Sequence, residues 1–293
     1  MKNIIIVTGG AGFVGSNLIE RLVQKYNYKI ISIDNYSTGS KKNHINSKLV
    51  NYIKGDINDI YKICGKYKKK IKAFFHFGEF SRIHQSFLKT KECFQTNISG
   101  TQKVINFCYE NKIKLIYSAT SASLGNKGMD KYLSPYAFSK SKNLELIINM
   151  KNWFGLKYEI LYFYNVYGKR QIKSGSMSTV IGIFEDLYDK KKPLTVVKPG
   201  TQSRKFTHIE DTINGCIYAW QKNKNREYLL SNNKSYSIIE VARMFSRNYK
   251  LVPQRLGERY KSKTIKKLDG RKIYTFPCKL KLNDYIKSYK KGM

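Results

Sequence analysis

The sequence predicts an α/β protein built on a doubly wound parallel sheet, with a smaller α/β domain towards the end of the chain. Three observations predict it. Short apolar, β-branched runs alternate with stretches of helical periodicity, giving six strands before Asn165. The first run, Ile4 to Val7, is continuous and β-branched instead of alternating with polar residues, as in a parallel strand buried on both faces. The first run breaks on a glycine cluster, "TGGAGFVG", where a helical pattern begins.

Ile4 to Val7 is the first strand, and Phe13, Leu18, Leu22 and Val23 recur at helical spacing after it. "KIISID" is a second strand closing on Asp34, which completes one β-α-β unit. The alternation continues through "LVNYI", a helix over 57–67, "KAFFHF", a helix over 93–111, "IKLIYSA", a helix opening at Pro135, and "YEILYF". Beyond Asn165 it loosens: residues 166–205 are rich in glycine and lysine with one helix over 177–190, and 250–275 lack clear periodicity. The expected division is a nucleotide-binding Rossmann domain over 1–165, rejoined by 206–235, and a substrate-binding domain within 166–293.

Hydrophobic residues make up 41% of the 293, with 14% aromatic, too apolar for a disordered chain, and no apolar run reaches the length of a membrane span. The opening "MKNIIIVTGG" has too short an apolar run for a signal peptide and reads as a strand. Cys64, Cys93, Cys108, Cys216 and Cys278 are odd in number and lack Cys-x-x-Cys spacing, which fits reduced thiols in a cytoplasmic protein and no metal site. The net charge of +35 admits nucleic acid, an acidic membrane face or steering of an anionic small molecule. Because lysine is spread almost evenly, a compositional background explains the charge better. The triplets Lys68–Lys70 and Lys190–Lys192 fall between predicted elements, as solvated loops do.

The cluster carries Gly10-x-Gly12-x-x-Gly15 and equally Gly9-x-x-Gly12-x-x-Gly15. Glycines at a strand-to-helix turn let backbone approach a pyrophosphate, whose charge the helix N-terminus stabilises. Asp34, ending the second strand, is placed to accept hydrogen bonds from adenosine ribose hydroxyls. A phosphate on that ribose would be repelled by Asp34, and Asn35-Tyr36 follow instead of an arginine, so NAD is favoured over NADP. Asp56 in "KGDI" either holds the adenine amine, with Ile57 beside the ring, or caps the next helix.

In "SPYAFSK", Tyr136 and Lys140 stand at i and i+4, on one face of the helix that Ser134-Pro135 opens. Making a phenol a base at neutral pH requires about 4 kcal/mol of preferential stabilisation of the phenolate. A neighbouring ammonium and an oxidised nicotinamide supply opposite charge of that kind. The phenolate can then take a proton from an alcohol as hydride leaves. "LIYSATSASLG" offers Thr120, or its neighbours Ser118, Ser121 and Ser123, as the hydroxyl that orders the substrate oxygen.

With these residues the chain resembles the extended short-chain dehydrogenase/reductase family, in particular nucleotide-sugar epimerases of the UDP-glucose 4-epimerase type. The resemblance rests on "VTGGAGFVGSNL", "DNYSTGS", "GDI", "FHFGE", "TNISGTQ", "SPYAFSK", "YFYNVYG" and "SRKFTHIEDT" in that order, nearly end to end. It implies NAD contacts at Phe13, Val14, Asp34, Asn35, Asp56, Ile57, Phe77, Asn97 and Tyr164, and catalytic roles for Thr120, Tyr136 and Lys140. It also implies that Asn165, Arg204 and Arg255 bind the nucleotide-sugar, and two guanidiniums suit phosphate oxygens; Glu79, in "HFGEFSR", sits where the loop after the fourth strand faces the nicotinamide and the substrate, as a second acid/base or as a supporting group. Dehydratases of the family carry an acidic pair directly after the catalytic threonine; Ser121-Ala122 follow here, so the resemblance implies 4-epimerisation of a UDP-hexose.

Several positions depart from that pattern. The stretch between Thr120 and Tyr136 is shorter than the family's, Tyr162 stands for an arginine, and Lys205 for an aspartate. "GKRQIKSGSM" resembles ADP-heptose 6-epimerases, in which a lysine near Lys173 is a second base. The alternatives are a 3- or 6-position epimerase, a ketosugar reductase, or a non-catalytic member binding RNA through its basic surface. Helices over 91–110 and 136–152 resemble the pair through which relatives form homodimers.

Overall fold

The computed structural model describes residues 3–258 and 265–292. Six strands form the expected half of the sheet: β1 (Ile4–Thr8), β2 (Lys29–Asp34), β3 (Val50–Lys54), β4 (Ile71–His76), β5 (Lys114–Thr120) and β6 (Tyr158–Phe163). They lie in the order β3-β2-β1-β4-β5-β6, all parallel, so the chain reverses direction across the sheet between β1 and β4. Every residue of β1 and β5 is buried, which is why neither shows polar alternation, whereas β3 at the edge is half-exposed.

Two apolar layers cover the sheet. On one face Val104, Phe107, Leu144 and Ile147 come from the helices Thr101–Glu110 and Pro135–Phe154. On the other, Leu18 and Leu22 of the helix Phe13–Lys25 meet Ile213, Cys216 and Trp220 of the helix Ile209–Lys222. Beside β6 the sheet continues with Glu227–Ser231 and then Arg271–Pro277, both parallel, and ends in the short antiparallel Lys267–Leu268. The strand Arg271–Pro277 corrects the expectation that residues after 250 belong only to a second domain. Ile273 to Pro277 pair in register with Glu227–Ser231, and Ile273 enters the main core.

A third core gathers Tyr167, Phe184, Val196, Phe206, Val241, Phe245, Leu282 and Ile286. It underlies three two-stranded ladders, which pair Val166–Tyr167 with Thr207–His208, Ser203–Lys205 with Ser235–Ser237, and Leu194–Val197 with Tyr249–Val252. The helix expected over 177–190 runs over Val180–Asp189, with the Thr179 hydroxyl accepting from the Gly182 amide. Among the described residues no helix is long and apolar enough to cross a membrane.

Candidate active site

A cleft of about 870 Å³ runs from the glycine turn, across the ends of β1, β4 and β5, to the third core. It opens where the strand order reverses, the place open α/β sheets use for ligands. The turn exists because the residues are glycine. At Gly9, φ is +69° and an added Cβ would stand 2.8 Å from the Phe77 carbonyl; at Gly15 it would stand 2.2 Å from the Gly9 oxygen. The helix beginning at Phe13 has neither a side-chain cap nor an acid in its first turn, so its N-terminal amides stay available to an anion.

Asp34 is buried at the end of β2, where its two carboxyl oxygens accept the Ala11 amide at 2.9 Å and the Tyr36 amide at 2.8 Å. Burial raises its pKa, and those hydrogen bonds oppose the rise. A carboxylate has further lone pairs to offer ribose hydroxyls. Of the two roles the sequence left open for Asp56, the structure shows the cap. Asp56 caps the turn at Ile57–Asp59 by accepting the Asn58 amide at 2.9 Å, accepts the Asn35 side-chain amide at 3.0 Å, and lines the cleft. Burial raises its pKa, but these hydrogen bonds outweigh burial and leave it lowered.

The helix Pro135–Phe154 is fixed at its start by the Ser134 hydroxyl, which accepts the Ala137 amide at 3.1 Å, and by Ser86, whose hydroxyl accepts the Tyr136 amide at 3.1 Å. Gly155, at φ +72°, ends it. Tyr136 is half-buried, Lys140 is buried, and both line the cleft with Thr120 at the end of β5. The Thr120 hydroxyl accepts the Ala122 amide at 3.2 Å. Ser118 and Ser121 also line the cleft; Ser123 is buried behind it.

Glu79 lines the cleft beside Lys140. Its side chain is 3% exposed and bound on every side by the chain: Lys140 donates to one oxygen, and Tyr117 at 3.0 Å, Thr101 at 3.1 Å and Asn143 at 3.1 Å donate to the other. Burial lowers the Lys140 pKa, and Glu79 raises it in turn.

At the far end Arg204 and Arg255 line the cleft with Asn165, whose side-chain amide donates to the Lys205 carbonyl at 2.7 Å. Arg204 donates to Glu258 at 3.0 Å, while Arg255 is exposed. The residues Gly9, Gly12, Phe13, Val14, Gly15, Asn35, Ile57 and Phe77 all line the nucleotide end.

Two expected cofactor contacts lie outside the cleft lining, and Lys173, whose role the sequence left open, points elsewhere. Asn97 is turned inward on the π-turn Gln95–Gly100, where it binds both backbone groups of Phe80 and the Ser139 hydroxyl. Tyr164 is buried in the core behind the cleft, which Phe163 and Asn165 line instead. Lys173 pairs with Glu185 at 3.2 Å and Tyr289 at 3.0 Å, and that pairing turns it to the C-terminal helix Leu282–Lys291. Sequence reasoning missed Arg82, which donates twice to the Met177 carbonyl across the cleft, at 2.9 and 2.6 Å. It also missed the pairing of buried Tyr162 and Glu227 with half-buried Arg271, in which the Tyr162 hydroxyl donates to Glu227 at 2.6 Å and Arg271 donates to Glu227 at 2.7 Å. No local pattern announces partners this far apart in sequence.

Residues 5–231 match the sequence model of the NAD dependent epimerase/dehydratase family. The chain belongs to that family. Its cofactor is NAD, and the glycine turn, the open helix N-terminus and the buried Asp34 fit that group. The chain is 29% identical over 252 residues to a putative UDP-glucose 4-epimerase of Methanocaldococcus jannaschii, covering 81% of this chain and 80% of that one. It is 27% identical over 261 residues to a UDP-N-acetyl-alpha-D-glucosaminuronate decarboxylase of Bacillus cytotoxicus, covering 83% and 79%. A UDP-glucose 4-epimerase of Thermotoga maritima, solved with UDP-glucose, superposes with a TM-score of 0.85 at 21% identity over 99% of both chains, a likeness of fold. Among the described residues no group of three or more His, Cys, Asp or Glu could hold a metal ion.

Proposed function

We propose that the protein is a nucleotide-sugar 4-epimerase acting on a UDP-hexose. The observation that carries the reading is the pair Ser121-Ala122, buried directly after Thr120, where an eliminating enzyme needs an acid and a base. The cleft runs unbroken from the nucleotide turn past Tyr136 and Lys140 to two arginines, a span suited to a cofactor and a diphosphate sugar together.

When bound, NAD supplies the hydride acceptor and donor. Tyr136, as phenolate, takes the proton of the sugar 4-hydroxyl and later returns one, while the Thr120 hydroxyl holds that oxygen in line. Lys140 stabilises the phenolate by its charge. Arg204 and Arg255 hold the diphosphate as the 4-keto sugar turns its other face, and Phe13, Val14, Asp34, Asn35, Asp56, Ile57 and Phe77 hold NAD. Exposed Tyr109, Trp153 and Phe154 on the two expected interface helices support a homodimer, and five unpaired thiols support a reducing, cytoplasmic setting.

The test is incubation with NAD and each of UDP-glucose, UDP-galactose and their N-acetyl forms. Interconversion of one pair is expected, and Tyr136→Phe should lower kcat by about 10²–10⁴. No interconversion of any pair sinks the reading, and net consumption of NADH or NADPH with a 4-keto sugar would favour a ketosugar reductase.

A further inference from the structure

Lys140 is 3% exposed, and two of its three ammonium hydrogens go to Glu79 and the Ser118 carbonyl. The Tyr117 ring lies 4.4 Å from its nitrogen. Glu79 in turn is the hub of a buried chain of hydrogen bonds. The Thr101 hydroxyl that donates to it meets His76 Nε2 at 2.9 Å, and His76 Nδ1 meets the Thr8 hydroxyl at 2.8 Å. Donors to this one carboxylate come from β5, from the helix Thr101–Glu110 and from the helix that carries Tyr136.

We propose that Glu79 is a positioning residue for catalysis, holding Lys140 charged and fixed in place on the helix face it shares with Tyr136. The proposal rests on the reading of Tyr136 and Lys140 as the working pair. An ammonium this buried loses its proton unless an opposite charge offsets the loss of water. The titratable groups facing Lys140 are His76 from β4, Glu79 after it, Cys93 from the helix Thr90–Phe94, Tyr117 from β5, and Tyr136 on its own helix. Burial lowers the His76 pKa to about 4 and raises the Cys93 thiol to about 11, so both are neutral at neutral pH, and burial pushes the Tyr117 phenol upward too. Glu79 is therefore the standing counter-charge among these groups. Its four donors leave the carboxylate no freedom to swing away, so the ammonium's place is fixed before any ligand enters.

The experiment titrates the Lys140 amine directly, by competitive labelling of NAD-free protein with trace acetic anhydride at a series of pH values and peptide mass spectrometry. In the wild type, Lys140 should stay unreactive at neutral pH. In Glu79→Gln the labelling midpoint should fall by at least one pH unit, about tenfold more uncharged amine at a given pH, with the alkaline limb of kcat/KM moving the same way. Glu79→Asp, keeping the charge, should restore the wild-type midpoint. A folded Glu79→Gln protein with the wild-type midpoint overturns the proposal. Should Glu79→Gln fail to fold, the pH midpoint of wild-type labelling decides: a Lys140 midpoint at or below neutral pH overturns it, and a midpoint in the alkaline range supports it. Labelling needs no sugar, so failure to find an epimerisation substrate leaves this result standing.

Discussion

His76 lies inside the sheet with both ring nitrogens at the hydroxyls of Thr8 and Thr101, and burial lowers its pKa to about 4. In the unfolded chain the ring has its ordinary pKa of about 6.5. Its folded value is depressed, so its contribution is fully present above pH 6.5 and is lost as pH falls from there towards 4. The loss amounts to about 3 kcal/mol. Urea unfolding at pH 7 and near pH 4 should show it, as a drop that is smaller in His76→Gln. At this scale the sequence disclosed residue types and left orientation open. Tyr136, Lys140 and Thr120 were legible because spacing alone puts them on one helix face or at one strand end. Glu79, Asn97 and Lys173 were not: each is decided by a partner from a distant element, Lys140 for the first, Phe80 and Ser139 for the second, Glu185 for the third.

The first strand was readable because burial on both faces demands an unbroken apolar run, and the glycine turn because close backbone approach demands glycine. Arg271–Pro277 was not, since only Ile273 of its residues is buried and it neighbours a lysine-rich stretch, so nothing local distinguishes it from a loop. The π-turn Gln95–Gly100 was equally hidden: one wider turn re-phases a helix without changing its composition. The helix Phe13–Lys25 meets the turn so closely that Gly15→Ala must push backbone against backbone. It should lower stability by roughly 1–3 kcal/mol by the cost of overpacking. It should also weaken NAD binding in calorimetry, and wild-type affinity in that variant would contradict the account of the turn.

Across the whole molecule the charge of +35 is carried mostly on solvated lysines, and the triplets at 68–70 and 190–192 are exposed. Like charges on a compact body repel. The melting temperature should therefore rise when sodium chloride is raised from about 10 mM to about 150 mM, as the screening length shrinks from about 30 Å to about 8 Å. A flat or falling trend would mean that the lysines are locally compensated. The outer strand Arg271–Pro277 has a consequence for synthesis. Until it emerges, Glu227–Ser231 is a bare rim able to recruit another chain, and Glu227 holds a charge without the guanidinium of Arg271. A ribosome releasing this protein thus leaves that rim open for as long as translation takes to travel from Ser231 to Pro277, the residue that pairs with Ser231.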